Sequence, residues 1–528
     1  MRAHLFYGAA LAALLCVPAE ASVLVSSDPT SNMNCLGGFC QATAKKAVLN
    51  ATALAQMLAG QDVTIRTGAG AVTITVTQSF SWTSAHKLSL EASENVSFQA
   101  PITVAGPGAL VIDYAQGGTG DLIFFPSASV TFWDMSSVFS LQGQTYKLEP
   151  SLDQLSADVA AAGDKGNYAL ANDFDQTGHT YTAAPLNGSQ TVALEGAGHT
   201  IANLTVHVPG GVNCAGLFDF TFGSVNDLIM TGADISSGDN SSSGIIAGCG
   251  NDSFAHDSTA GNVSIGKSSW AGGLAGNTSL AIRDSSSSAN VTAVTTNHTS
   301  YIGGLVGLRT TGQDITNSSA SGNVTGGNSV VAGGLVGMNS SAIRFSHASG
   351  NVSAGHEFHN KGGVGGLVGV NYGQVTESFA TGHVSGGGNA YVGGLVGYGQ
   401  SVGDSYATGS AQCMETCFVG GLIGGGQGAS LSYSTAAVGG GSGSVIGGLI
   451  GDETTKKSSL FDTYWDLDTS GVADPAQGVG NVANETGVTG LSNTELKSGL
   501  PAGFDSAIWA QKRKVNKGYP YLLANPPQ

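Results

Sequence analysis

Aliphatic residues in this chain return in short bursts separated by Gly, Asn and Ser, without a sustained helical period. The clearest burst, Gly272-Gly273-Leu274-Ala275-Gly276, recurs as Gly303-Gly304-Leu305-Val306-Gly307 and again at 333–337, 365–369, 393–397, 420–424 and 447–451. Degenerate earlier copies lie at Ala215-Gly216-Leu217-Phe218 and Ser243-Gly244-Ile245-Ile246. The marker therefore runs Leu217, Ile245, Leu274, Leu305, Leu335, Leu367, Leu395, Leu422 and Leu449, with steps between 27 residues (Leu395 to Leu422) and 32 (Leu335 to Leu367). A second pattern lies between the markers. Ile315…Ser318…Ala320…Gly322…Val324 returns as Ile343…Ser346…Ala348…Gly350…Val352 and as Val375…Ser378…Ala380…Gly382…Val384. Small residues two apart have strand spacing. Each repeat reads as two or three short strands between Gly, Asn and Ser turns, and its β-branched and glycine-rich composition excludes helical repeats.

One such unit cannot bury enough apolar surface to offset the entropy of ordering it, so the repeats must stack. The expected fold is all-β: a parallel β-helix (β-solenoid), right-handed, with short capping helices and like side chains piled in phase along one unbroken shaft. Nine coils at strand spacing give a segment about 43 Å long.

The flanks read differently. Gln41 to Ala59 suggests one N-terminal helix, placed to cap the open end. Val63–Ile65, Val72–Val76, Leu88–Leu90, Val96–Phe98, Ile102–Val104 and Leu110–Ile112 alternate as short strands of an all-β region. A second helix is expected over Leu152–Ala162, opened by Ser151 with Gln154 as a capping box and closed by Gly163. After Leu449 the repeat decays, with Trp465 standing where earlier copies carry Ala, as suits a terminal cap. The boundaries are then 1–21 leader, 22–148 N-terminal solenoid region, 149–166 helical connector, 167–470 repeat β-helix and 471–528 C-terminal capping segment.

Composition adds an address. Arg2, the apolar run Leu5–Val17 and Ala19-Glu20-Ala21 describe a secretory signal peptide cut before Ser22. The run is too short for a membrane span, and Leu15 before Cys16 argues against a lipid anchor. Only 10% of residues are charged and the net charge is -17, so nucleic acid, which needs a basic face, is excluded as a partner. Glycine, 81 residues, has no triplet period, which excludes collagen. Six cysteines remain after leader removal, an even number suited to disulfides outside the cell. Cys35/Cys40 and Cys413/Cys417 are candidate pairs. Cys214 lies three residues before its marker and Cys249 four after its own, so in a straight stack they stand seven positions apart and are expected to stay unpaired.

The Gly-Gly-Leu-Val-Gly units with their Asn-Ser…Ala-x-Gly-x-Val continuation resemble the GLUG motif of bacterial surface proteins. Tyr168–Asp175 and Gly196–Leu204 resemble the lead-in to that motif, and Phe80-Ser-Trp82-Thr and Leu88–Ala92 are similar to filamentous-haemagglutinin-like adhesins. The resemblance implies a secreted or cell-surface β-helix, often an adhesin; the function expected is non-catalytic binding of an extracellular ligand, a host protein or glycan. The chain departs from such adhesins in lacking a translocator barrel and an anchoring signature.

Candidate chemistry is sparse. His356-Glu357-Phe358-His359 falls one position short of the HExxH zinc motif. Gly399-Gln400-Ser401-Val402-Gly403 fits G-x-S-x-G without a following helix. Asp466, Asp468 and Ser470 resemble half a calcium loop, although Gln477 stands where its bidentate Glu belongs. Asn262 and Asn351 begin glycosylation sequons at repeat turns. The alternative function is a β-helix polysaccharide lyase or glycosidase using paired carboxylates, drawn from Asp219, Asp227, Asp234 and Asp239.

Overall fold

The computed structural model describes residues 21–527 apart from 212, 252, 295–298, 311, 357–361 and 455–459. All of the expected leader except Ala21 lies outside the described residues, as do Cys16 and the Glu357-Phe358-His359 part of the histidine string. Among the described residues the fold is a parallel β-solenoid of about 16 turns with three short α-helices.

The coils of Leu274, Leu305, Leu335 and Leu367 each contribute five short strands, and in those of Leu395 and Leu422 the second and third merge into Val396–Gly403 and Ile423–Ser430. In the coil of Leu335 the five are Val330–Gly333, Val336–Asn339, Ile343–Arg344, His347–Ala348 and Val352–Ser353. The first strands of the nine coils, from Cys214–Ala215 to Val445–Gly447, form a nine-stranded parallel sheet. The marker leucines stack as the spacing requires. Leu305 N–H donates to Leu335 O (2.9 Å), Leu335 to Leu367 (2.8 Å), Leu367 to Leu395 (2.8 Å) and Leu395 to Leu422 (2.9 Å). All nine marker side chains are buried.

The glycines beside them set the thickness of the coil. A Cβ on Gly304 would stand 2.8 Å from the Ala320 Cβ, and Gly334 and Gly366 meet Ala348 and Ala380 in the same way. The small residue of the second pattern is thus the counterpart of the second marker glycine. Trp465 occupies that position and packs over Gly448, and the next turn, with Gly478 and the strand Val488–Leu491, lies against its other side.

Serine forms a second ladder. Ser318 N–H donates to Ser346 Oγ (3.2 Å), Ser346 to Ser378 (3.1 Å), Ser378 to Ser405 (3.1 Å) and Ser405 to Ser432 (3.0 Å). Each hydroxyl in turn donates to the carbonyl two residues back, as Ser346 does to Arg344 (2.8 Å). Every rung is satisfied without water. The residue before each serine turns the corner in the left-handed region: φ is 53° at Asp284, 47° at Asn317, 52° at Phe345, 45° at Glu377 and 43° at Asp404.

Two expectations change. Residues 41–59 are not one helix: Phe39–Ala42 and Lys46–Asn50 are strands, and helix α1 covers only Ala51–Leu58. Val48 and Leu49 pair with Leu24 and Val25, a tertiary pairing that overrides local helical pattern. Asn50 then starts the helix by accepting from Ala53 N–H (3.0 Å), and α1 packs beside Phe80–Trp82 with Leu54 and Leu58 buried. Helix α2, Leu152–Ala161, has Ser151 as its N-cap (3.2 Å to Gln154 N), but Gln154 turns to Asp158 (2.9 Å) and the reciprocal bond of a capping box is not made.

The shaft is also less uniform than a single pile. Val138–Leu141 and Gln144–Glu149 form an antiparallel hairpin, whereas the pairs on either side of it are parallel. Strand direction therefore reverses there. On the next strand, Lys165–Leu170, Ala169 belongs to the core of the first block while Tyr168 and Leu170 belong to that of the second. Adjacent residues on a strand point to opposite faces, so the blocks share this sheet and put their cores on its two sides.

Residues beyond the last coil run back along the flank. His347, Phe379, Tyr406 and Tyr433 stack ring on ring at 4.7, 4.8 and 5.2 Å. Phe504, Trp509, Tyr519 and Leu522 cover this ladder in one cluster. Helix α3, Asn493–Leu496, opens the strap with a complete Ser492/Glu495 capping box. Asn525 ends it, donating to Ser346 O (3.1 Å) and Glu377 O (3.2 Å).

Candidate functional site

The densest titratable cluster lies where the two blocks meet. Asp121 enters from the first block, between strands Ala109–Asp113 and Leu122–Phe124. Glu195, Asp227, Asp257 and Asp284 come from successive coils of the second, each at or beside the corner ending a short strand. Backbone bonds fix the approach: Val130 N–H donates to Ala197 O (3.0 Å) and Phe132 N–H to Ala171 O (2.9 Å). His199, buried, spans the seam from Asp173 (3.0 Å) to Val130 O (2.9 Å).

Within the cluster the carboxyls divide into two kinds. Asp121 lies 2.8 Å from His256 Nε2 and is gripped by the Arg283 guanidinium, which also reaches Asp284 at 3.3 Å. Burial acts to raise Asp121, but His256 and Arg283 hold it below the usual carboxylate range. Glu195, Asp227 and Asp257 are 2%, 5% and 1% exposed, so solvent does not reach them. Burial pushes Glu195 up to about 8 and raises both aspartates well above their ordinary values; for Asp227 the neighbouring Glu195 charge adds to the effect. The Glu195 and Asp227 carboxyls are hydrogen-bonded to each other, and Glu195 Oε1 also accepts from Ala197 N–H (2.8 Å). Asp257 takes the position that serine fills below it, accepting from Leu228 N (3.1 Å) and Ala255 N (3.1 Å) while its own N–H donates to Ser285 Oγ (3.2 Å).

Asp121, His256 and Asp284 place ligand-type atoms within 4.8 Å of one another. The Arg283 guanidinium already contacts all three, so the charge a metal ion would bring is supplied by the chain. The adjoining cavity, about 40 Å³ between Phe124 and Asn317, has room for a water molecule and not for a sugar ring. Glu195, Asp227 and Asp257 are thus closed to a ligand of sugar size, whereas Asp121 and Asp284 keep partial exposure.

Residues 298–325 match the GLUG motif. That stretch is the coil of Leu305, Ile315, Ser318 and Ala320, so the GLUG signature corresponds to the corner leucine, the ladder serine and the alanine under the glycine. No curated protein matches the chain. A crystal structure of a proposed immunoglobulin A1 protease from Bacteroides ovatus is similar at 16% identity over 72% of this chain and 93% of that one, with a TM-score of 0.28; nothing about activity is carried over from it.

The four early aspartates do not gather. Asp219 accepts from Gly188 N (2.8 Å), Asp234 faces His207 at 3.3 Å and Asp239 binds Lys267 N (2.8 Å), each on a different leg of the coil. Only Asp227 enters the seam, and its partners Glu195 and Asp257 lie about one repeat before and after it. The strand register, which sets Glu195 opposite Asn226 and Asn226 opposite Ala255, was the signal that would have found them. Asp466 is buried, with Asp468 N (2.9 Å), Thr469 N (3.2 Å) and the Tyr519 hydroxyl (2.8 Å) donating to its carboxylate. Asp468 accepts from Asn493 N (2.8 Å) and Ser470 bonds the Val472 backbone. Gly399–Gly403 lies within the strand Val396–Gly403 and forms no elbow. His356 faces Glu415 at 3.2 Å.

Cys35 and Cys40 are joined across an antiparallel hairpin and Cys413 to Cys417 across a loop, with Cα–Cα distances of 4.0 and 6.4 Å. Cys214 and Cys249, expected to stay apart, are also a disulfide, at 5.5 Å. The marker is a corner and not a straight strand. Strand Cys214–Ala215 before one corner faces strand Ala247–Gly250 after the next, so closely that a Cβ on Gly248 would stand 2.8 Å from that of Cys214. Seven positions along the chain fold into one contact.

Proposed function

We propose that the protein is a secreted or cell-surface β-helical binding protein of the adhesin type, acting through its flanks and not through a catalytic pocket. The observation that carries this reading is an open axial groove of about 600 Å³ running over four successive coils, from Asn328 through Ser353 and Ser385 to Met414 and Glu415. A groove along the coil axis suits an extended ligand, whereas the paired acids at the seam are sealed from one. Three disulfides favour an oxidising, extracellular address. The partner class is a host protein or glycan.

The test is a binding array of immobilised extracellular-matrix proteins and glycans probed with the purified chain. Saturable binding that persists in Asp227→Asn supports the reading. Turnover of a polysaccharide that Asp227→Asn abolishes would replace it with the glycosidase alternative.

A further inference from the structure

A second groove, on another flank, has a more specific chemistry. It is a cavity of about 170 Å³ lined by Tyr372, Tyr398, Gln400, Gln427 and Thr454. Register explains how it is built. Val370 pairs with Tyr398, Asn371 with Gly399 and Gln400 with Gln427, so Tyr372, Gln400, Gln427 and Thr454 form one axial row, a residue per coil. Tyr398 lies in the neighbouring row, after Val370; the next coil has Gly425 there, and the Tyr391 ring fills the space a side chain would take. Tyr391 in turn packs against Tyr398 (5.0 Å) and stacks on Phe418 (4.8 Å), so the aromatic wall is backed by further rings.

The other wall is amide. Gln427 Nε2 reaches Gln400 Oε1 at 3.5 Å, and the Gln400 carbonyl is held by buried Asn371 (2.9 Å). Tyr372, 52% exposed, stands at one end of the row and Thr454 at the other.

We infer that this groove binds a neutral oligosaccharide lying parallel to the coil axis, with Tyr372 and Tyr398 against the apolar faces of the pyranose rings and Gln400, Gln427 and Thr454 on their hydroxyls. The inference rests on the surface-binding reading above and names a ligand class for one flank. Each chemical element of the groove points the same way. Amides both donate and accept, as hydroxyls require. The strands beneath are paired on both sides, leaving no free backbone edge for an extended peptide to extend. Among the described residues no lysine or arginine lines the cavity and Asp452 and Glu453 flank it; together with the chain's net charge of -17 this disfavours sialylated or sulfated glycans.

The experiment titrates the purified chain with cellohexaose, maltohexaose, mannohexaose and xylohexaose by calorimetry, with a sialylated oligosaccharide and a polyproline peptide alongside. At least one neutral hexaose should bind. Tyr372→Ala should weaken it about tenfold or more, and Tyr372→Phe by no more than about twofold. Gln400→Ala with Gln427→Ala should weaken it comparably, with unchanged circular dichroism in every variant. The inference is overturned if no hexaose binds, if binding survives Tyr372→Ala, or if the peptide or the sialylated glycan binds in this groove instead. Hexaose failure with retained wild-type binding on the matrix array removes the groove alone; failure on both removes the surface-binding reading as well.

Discussion

In the first block the core is filled by side chains of mixed size, such as Ile74, Phe98, Phe132 and Phe139, and its end is covered by α1. In the second, leucine sits on leucine, serine on serine and alanine under glycine through coil after coil. Both are parallel solenoids, yet only the second repeats its sequence. Stacking alone therefore does not require repetition. What repetition adds is a way to bury polar side chains cheaply, since each ladder serine finds its donor and acceptor in an identical neighbour. Where the ladder ends, at the seam, the same position carries Asp257 and the neighbouring acids hold protons.

The comparison breaks most visibly at the marker. Leu335→Asp places an unpaired carboxylate at a site with no solvent exposure and should cost more than about 4 kcal/mol, collapsing the second block in denaturant titration. Replacing Cys214 and Cys249 together by serine frees a crosslink 35 residues apart and should cost about 3–4 kcal/mol, read from the same titration.

The seam should respond to pH. Burial holds Glu149 up to about 7 and Glu195 up to about 8, so the folded chain keeps protons that the unfolded chain releases near the ordinary value of 4.5. Their contribution is complete below about pH 4.5 and is lost as pH rises through 7 and 8, so melting should fall between pH 5 and 9 and level off above. Glu195→Gln should flatten part of that slope; a melting temperature that rises with pH would contradict it. The smallest effect is the single rung: Ser346→Ala leaves Ser318 N–H without its acceptor and should cost about 1–3 kcal/mol, with a matching gain in amide exchange at Ser318.

Repetition also decided what could be read from sequence. The marker leucines, the small residue two after the ladder serine and the replacement of that residue by Trp465 were legible because nine copies averaged out local noise. Helix α1 was overextended because Val48, counted with Leu54 and Leu58 in its apolar pattern, is spent together with Leu49 on pairing with the first strand. The Cys214–Cys249 contact depended on the marker being a corner, which spacing along the chain does not reveal. At the seam the repeat did place Glu195, Asp227 and Asp257 at neighbouring corners, but Asp121 arrives from a coil with no sequence likeness to them. The flank strap was hidden because its partners, Phe379, Tyr406 and Tyr433, look like ordinary outward residues of separate repeats.

That strap gives the molecule an unusual mechanical layout. Asn525 is fastened to the carbonyls of Ser346 and Glu377, several coils short of Trp465. A load carried by the chain at Asn525 is therefore passed first to the coils of Ser346 and Glu377 and not to the last turns of the stack.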